Sequence, residues 1–552
     1  MKTEFLSPAT LPGSQLIFLD FCRRLEDRHG QPSSGAVPGA PSALTRFYAD
    51  WDPKNPAPPS CSIAPDRIAE PMLRLLAAQN PDPACQVSLN QLRNGARTVV
   101  TGQQVGLFGG AAMILYKAAT AIAQAAEASA AGHPHQPIFW LASEDHDFAE
   151  INHLTFPDRR ALVTLRYDAA PEHPVPVGRL ALTKAIAPLV EQAQSLLGWS
   201  EIGEHLAAAY RPGVTLAEAF RAFYSRIFSR FGLLILDPAG REAHRQGAPV
   251  LRAAIERADE FHAALLERNR ELESAGYHAQ VAVAERSSLL FLIDAQTGAR
   301  VALKRTPATA AEPAGIWQAG RLTLSTSELL GILDAEPERI SPSALLRPVF
   351  QDFILPHSAY VGGPAEVAYF AQTAVLYEKL LGRITPVLPR FSATVVDATT
   401  AALLHRYDQA PERILGTDAD TLRQSLAARA MPIETKRALA SVGNALDQEL
   451  TALTGHLAAM DANLGKAAVV SASKMRYQMN RLRRLAANHQ LQRENSIARD
   501  AEAVVRAIFP QQAPQERVLA SAAILSLAGE DFLDRVVREA ANLTPGHRLL
   551  WL

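Results

Sequence analysis

Glu144, Asp145, His146, Asp147 and Glu150 crowd into one short polar stretch, FWLASEDHDFAEIN, directly after an apolar run. Four acids around one imidazole shift one another's titration, and they can hold an ammonium group, sugar hydroxyls or a cation. Three chemistries compete for this cluster. It suits a substrate amine and the base that deprotonates it, with Glu144, Asp145, His146 and Asp147 as the catalytic candidates. It could be a solvated turn in which Asp145 or Asp147 caps a helix. A metal site drawing on His146 and His153 is the third, but HExxH spacing is absent, and metal ligation is not the reading adopted.

Two other segments carry polar side chains in patterns that chemistry needs. RTVVTGQQVGLFGG (97–110) leads from a β-branched run through a Gly-rich turn into an Ala-rich helix. Backbone N–H groups at such a helix start, helped by the macrodipole, favour an anion. Thr101, Gly102, Gln103, Gln104, Gly106 and Gly109 are the candidate contacts, with Lys117 two turns into the helix. The loop has neither the Lys-Ser/Thr of a P-loop nor GxGxxG spacing. LLRPVFQDFILPHSAYVGGPAEVAYFAQ (345–372) adds Arg347, Gln351, Asp352, Tyr360, Gly362, Gly363 and Glu366, with Pro364 placed to open a second helix. Arg347 and Arg390 are suited to bidentate pairing with a carboxylate or phosphate. Two weaker motifs are set aside: SASKM (471–475) lies inside a heptad region, and GHPHQP (132–137) has no partner ligands.

The elements that must position these residues read as α/β. ARTVVTG and QPIFWLA are strands, and the helix GGAAMILYKAATAIAQAAEA lies between them, making a βαβ unit. FGLLILDP (231–238) is a further strand that ends on Asp237, and 383–397 holds the last strand region. Their apolar runs lack alternation, as expected of parallel strands covered on both faces. The prediction is a Rossmann-like parallel-sheet core over 1–397, with insertions at about 151–212 and 270–340. Residues 31–65, rich in Pro, Gly, Ser and Ala, predict irregular chain.

Beyond 397 the pattern changes. No proline occurs from Ile433 to Phe509, and Leu446, Leu450, Leu453, Leu457, Met460 and Leu464 recur in steps of four and three. That is a heptad seam, predicting an α-helical coiled-coil arm over 398–510. Gly465 is the expected end or bend of a first helix running from Ile433 to Leu464. Residues 511–552 predict C-terminal helices.

Composition narrows the function classes. The net charge of −1 over 552 residues gives no general attraction to nucleic acid or anionic membrane. Cys22, Cys61 and Cys85 lack CxxC spacing and do not form a disulfide framework or zinc ribbon, which fits a reducing cytoplasm. The most apolar stretch contains Lys117, Gln124 and Glu127 and reads as a buried helix, not a membrane span.

Together, TGQQVGLFGG…LYKA, FWLASEDHDFAEIN, LLRPVFQDFILPHSAYVGGPAEVAYFAQ and the late PQERVLA resemble the BshC family, the cysteine ligases of bacillithiol biosynthesis. The resemblance runs over nearly the whole chain. It implies a Rossmann-like core with inserted connecting subdomains and a coiled coil that pairs two chains into a homodimer. It also implies the reaction: L-cysteine is joined to the glucosamine amine of glucosaminyl malate. The chain departs from the family pattern at GGAA, where a proline is expected nearby, and at apolar positions of GPAEVAYF. Amide formation from a free carboxylate needs activation, so ATP or another nucleotide is the expected co-substrate, although no cofactor is fixed by the residues and the HxGH signature of class I synthetases is absent. Lys117, Arg347 and Arg390 are the expected partners of the malate. A nucleotide-sugar-dependent transferase and a non-catalytic Rossmann/coiled-coil scaffold are the rival readings; the scaffold is disfavoured if the acidic cluster and the Gly loop share a cleft.

Overall fold

The structure, a computed structural model, describes residues 2–28, 51–54, 56, 66–306, 315–493, 495–529 and 531–552. Cys61 and most of the Pro-rich 31–65 stretch lie outside the described residues. Two compact units form, one from 1–395 with 515–550 and the other from 396–514 with 551–552.

In the first unit five parallel strands make the central sheet: β1 (Arg97–Gln104), β2 (His135–Ala142), β3 (Leu234–Leu236), β4 (His357–Gly362) and β5 (Val387–Pro389). Their order is β3-β2-β1-β4-β5, the doubly wound arrangement. The chain builds outward from β1 in one direction and then returns to β1's other side with β4. The crevice between the carboxyl ends of β1 and β4 is therefore the topological switch point, where such sheets bind ligands.

Burial explains the uninterrupted apolar runs. Val99, Val100, Ile138, Phe139 and Ile235 have no accessible surface. On one face lies α1 (Ala112–Ala130), whose Ala121, Ala125 and Ala128 pack with Val99, Ala359, Val361 and Leu388. Alanine side chains allow that close approach and favour the helix. On the other face Val100, Ile138, Trp140 and Leu234 join a large core with Val250 from α2 (Arg241–Glu256) and Phe350 from α3 (Arg347–Ile354). α4 (Pro364–Leu381) follows β4.

The inserted regions carry their own small sheets. A hairpin of His153–Pro157 and Leu162–Arg166 lies in the first. In the second, Ser287–Ile293, Arg300–Thr306, Ile316–Ala319 and Leu322–Ser325 are antiparallel, with Ile340–Pro342 added beside the first of them.

The C-terminal segment differs from a separate set of helices. Helices Ser521–Ala528 and Phe532–Ala540 pack on α1. The segment then ends in a strand, His547–Trp551, paired antiparallel with Thr3–Leu6. Burying α1's outer face is what draws 515–550 into the first unit.

In the second unit α5 (Ile433–Met460) and α6 (Ala462–Arg493) pack side by side. The bend falls at Asp461, not at Gly465. Asp461 takes extended backbone, and its carboxylate accepts from the N–H groups of Asn463 and Leu464 at 2.9 Å, so it caps α6. α5 is accordingly about 42 Å long instead of the 48 Å a helix to Leu464 would span. Gly465 serves another purpose: a Cβ there would meet Ala458 at 2.7 Å, so the missing side chain lets the two helices meet.

The Gly-rich loop is buried from Val105 to Gly110. Gly109 N–H donates to the Tyr210 hydroxyl at 2.8 Å, and Ala112 N–H donates to Leu519 O at 2.9 Å. These donors are spent on protein groups, not presented to an anion. Gly109 sits at φ +82°, and a Cβ there would reach 2.7 Å from the Phe223 ring. Gly109→Ala should therefore destabilise the first unit by about 2–4 kcal/mol through left-handed strain and overpacking. Thermal unfolding measures this, and an unchanged midpoint would refute the packing role.

Candidate functional site

A cavity of about 290 Å³ opens at the switch point. Gly102, Gln103 and Gln104 reach it from the end of β1, Asp145 and Glu150 from beyond β2, and Gly363 and Glu366 from the start of α4. Arg347, Arg390, Lys117, Tyr360 and Arg517 complete its polar wall. The three segments singled out by sequence thus converge in one cleft, with a fourth from PQERVLA.

Its floor is fixed by Lys117. The buried ammonium donates to Gly102 O at 2.9 Å, to Gln103 Oε1 at 2.7 Å and to the Glu366 carboxylate. An ammonium has three N–H bonds, so all are used. Lys117 lines the cavity, but its donors are committed to joining the exit of β1 to the start of α4. Glu366 in turn accepts from Tyr360 OH at 2.6 Å and from Gly363 N–H at 2.8 Å, closing the N-terminal turn of α4. Burial opposes its charge, yet Lys117 and these donors hold the carboxyl below its ordinary value; burial likewise pulls Lys117 down, against Glu366. Gly102 has to be glycine here, since a Cβ would lie 2.9 Å from Trp140 O.

The remaining polar groups divide by sign. On the β2 side, Gln104 Nε2 donates to Asp145 Oδ2 at 2.5 Å and to Glu150 Oε2 at 3.1 Å. One amide nitrogen thus spans two carboxylates, a place an ammonium group can also fill. On the β4–β5 side are three guanidinium groups in different states. Arg390 is buried and committed to Glu516 at 2.5 Å and to Phe391 O at 2.9 Å. Arg347, among the described residues, donates to neutral oxygens, Tyr369 OH at 2.6 Å and Gln351 Oε1 at 2.9 Å. Arg517 has no hydrogen-bonding or ion-pair partner among the described residues. Its side chain is exposed; partial desolvation and the neighbouring Arg390 pull the guanidinium below its usual value, against the attraction of Glu516 and Glu366. An incoming anion would relieve this repulsion.

Other residues singled out by sequence stand elsewhere. Asp147 is exposed and caps the short helix Phe148–Ile151 through Glu150 N–H at 3.1 Å. Asp352 is buried against His357, Thr385 and Arg383 and does not line the cavity. Gln351 is also buried and braces Arg347. Thr101 donates to Val361 O at 2.9 Å, tying β1 to β4. Gly106 and Gly109 belong to the buried loop, and Gly362 ends β4 with no room for a side chain against Glu366.

Two partners of the acidic stretch had no sequence signal. Glu144 turns inward to His244 of α2, with Nε2 at 2.9 Å from its Oε1, and His244 Nδ1 donates to Ile340 O at 2.9 Å. Nothing in α2's sequence marks this histidine as an ion-pair partner. Arg300, from the second insertion, stacks over Phe291 and places Nη1 3.2 Å from His146 Nδ1, which also lies 3.6 Å from Asp145 Oδ1. Among the described residues no group of three or more His, Cys, Asp and Glu side chains is arranged to hold a metal.

Comparison with known proteins identifies the family. Residues 64–391 match the model described as bacillithiol biosynthesis BshC, N-terminal Rossmann-like domain, and 393–552 match its C-terminal coiled-coil domain. The chain belongs to the BshC family of bacillithiol biosynthesis. Curated BshC relatives are similar over most of its length. A protein of Koribacter versatilis named "Putative cysteine ligase BshC" is 43% identical over 490 residues, covering 88% of this chain and 89% of the relative. Relatives with the same name from Solibacter usitatus and Salinibacter ruber are 35% and 29% identical, covering 88% and 98% of this chain and 90% and 97% of their own. The BshC coiled-coil match includes 515–550, which fold with the Rossmann-like unit.

The Glu144–His244 pair predicts a pH window of stability. Burial opposes both charges, but each partner outweighs it: the histidine is raised above 6.5 and the glutamate lowered below 4.5. The histidine contribution is full below pH 6.5 and fades as pH rises through the folded value; the glutamate contribution is full above pH 4.5 and fades as pH falls through its folded value. Wild type should gain most over His244→Gln between pH 4.5 and 6.5 in chemical denaturation. A pH-independent difference would show that the pair is not ionised.

Proposed function

We propose that this chain is a cysteine ligase that joins the carboxyl carbon of L-cysteine to the glucosamine amine of glucosaminyl malate, giving bacillithiol. The observation that carries the reading is the division of the cavity into an acidic side and a cationic side. An amine-bearing sugar linked to a dicarboxylate has that same polarity. Arg517 and Arg347 hold the malate carboxylates, since neither is in an ion pair with an acid among the described residues. Asp145 and Glu150 hold the amine and take its proton.

The free cysteine carboxylate must be activated. Its oxygen attacks phosphorus of a nucleoside triphosphate, expelling pyrophosphate or nucleoside diphosphate. The amine then attacks the acyl carbon, the C–N bond forms, the phosphoryl group leaves with its oxygen, and the nitrogen's proton passes to a carboxylate. His146 does not line the cavity, and the base is assigned to the carboxylates. The cavity setting of Asp145 with Gln103 and Gln104 supports a catalytic reading over a scaffold.

The arm supports pairing of two copies. Of the seam, Leu450 is buried within its own unit, whereas Leu453, Met460 and Leu464 are exposed, as are Met475, Leu482 and Leu485 of α6. Such an apolar stripe is covered most simply by a second arm.

Purified protein with cysteine, glucosaminyl malate and Mg·ATP should give bacillithiol by mass spectrometry, and omitting ATP should abolish it; no product under any nucleoside triphosphate would refute the ligase reading. Arg517→Gln should raise KM for glucosaminyl malate about tenfold or more, while Asp145→Asn with Glu150→Gln should lower kcat about 10²–10⁴-fold. Wild-type rates in both would remove the polar division from the mechanism. Leu453→Asp with Leu482→Asp should convert a dimer to monomers in light scattering, and a persistent dimer would place the interface elsewhere.

A further inference from the structure

Gln103 and Gln104 end β1 side by side, and both line the switch-point cavity. A glutamine amide has a donating and an accepting end, and its partners decide which end a ligand meets. Here the two amides are held in opposite senses. Lys117 has only donors, so its 2.7 Å contact puts Gln103 Oε1 against the ammonium. The end turned from Lys117 is Nε2, whose two N–H bonds have no partner among the described residues. Nor is Nε2 sealed inside the protein: it is accessible at the cavity wall. Gln104 is turned the other way. Its Nε2 is spent on Asp145 and Glu150, and Oε1 is the end left over.

The cations of the cavity already have tasks. Lys117 and Arg390 are committed to Glu366 and Glu516, and Arg347 and Arg517 are assigned to the malate. Amide formation needs one more donor. When the amine lone pair forms the C–N bond to the activated cysteine carboxyl, the π pair of the C=O bond moves onto oxygen. That pair returns as the C–O bond to the phosphoryl group breaks, and the nitrogen's proton goes to a carboxylate. Charge stands on the acyl oxygen only between those two events. A donor fixed in place beforehand therefore lowers the barrier more than it tightens substrate binding. We infer that Gln103 is a catalytic residue: its Nε2 N–H groups hold the acyl oxygen as it becomes an oxyanion. Lys117 is the positioning residue, since it fixes the sense of the amide and, by drawing electron density to Oε1, strengthens Nε2 as a donor. The assignment rests on the ligase reading for the identity of the acyl group.

Two variants separate this role from that of a mere partner for Lys117. Gln103→Glu keeps an oxygen for the ammonium but has no N–H to offer at neutral pH. Gln103→Met has neither and adds no charge. Both should lower kcat about 10²–10³-fold, with KM for glucosaminyl malate held within about threefold. A phosphonamidate joining the aminophosphonic analogue of cysteine to the glucosaminyl malate nitrogen carries a tetrahedral centre and its oxyanion permanently. In calorimetric titration of the full-length protein, each variant should bind this analogue about tenfold or more weakly than wild type, and glucosaminyl malate equally well. Wild-type kcat in Gln103→Glu would leave Gln103 a structural partner of Lys117, and a loss confined to KM would make it a ground-state contact; either overturns the assignment, as does a wild type that does not bind the analogue. If Gln103→Met fails to fold, judged by thermal unfolding, Gln103→Glu decides. Product formation by wild type is read separately. Bacillithiol made by wild type, with rate and analogue affinity unchanged in the variants, removes only Gln103 from the mechanism. Analogue binding that depends on Gln103, with no product under any nucleoside triphosphate, removes only the ligase reading.

Discussion

The three bonds of the Lys117 ammonium are the constraint on which the site depends. β1 and β4 are neighbours in the sheet but far apart in sequence, and the chain leaves both at the same crevice. Lys117 ties the β1 exit, through Gly102 O and Gln103, to Glu366 at the start of α4. A buried ion pair adds little stability unless every remaining donor and acceptor is satisfied. Here Tyr360 and the Gly363 N–H complete the carboxylate and backbone and side-chain oxygens complete the ammonium, so the pair fixes geometry at small net cost.

With Lys117 and Glu366 neutralising each other, the field in the cavity is set by what surrounds them. Sheet order puts the acids of the β2 exit on one side of β1 and the arginines of α3, β5 and the C-terminal segment on the other. Arg390 and Glu516 repeat the same logic: one charge pair is spent to hold the wall, and Arg517, one residue on, remains available. Committed charges fix the frame, and uncommitted ones face the cavity.

The inserted regions contribute more than surface. Arg300 reaches from the second insertion to His146, and Ile340, at the edge of the same inserted sheet, accepts from His244, which stands against Glu144. The acidic stretch is therefore held from behind by groups of α2 and the insertion. This is why its members have different fates: Glu144 turns inward, Asp145 lines the cavity and Asp147 caps a helix.

By itself the sequence determined the local and the contiguous: apolar strand runs, the Ala-rich helix, the heptad spacing, the family, and the three polar segments at strand exits. Those follow from periodicity and from motifs whose residues are neighbours along the chain. Which polar group is spent and which is free was decided only by the tertiary structure. The Gly loop looked like an anion cradle, but Tyr210 and Leu519, distant in sequence, take the N–H groups of Gly109 and Ala112. Gly465 looked like the helix breaker, yet Asp461 breaks it, because a side-chain cap satisfies the N–H groups that a new helix leaves open. Arg517 was in view within PQERVLA but indistinguishable from any surface arginine. Its place in the cavity wall is set by the fold, and a pattern along one chain does not record which groups meet in three dimensions.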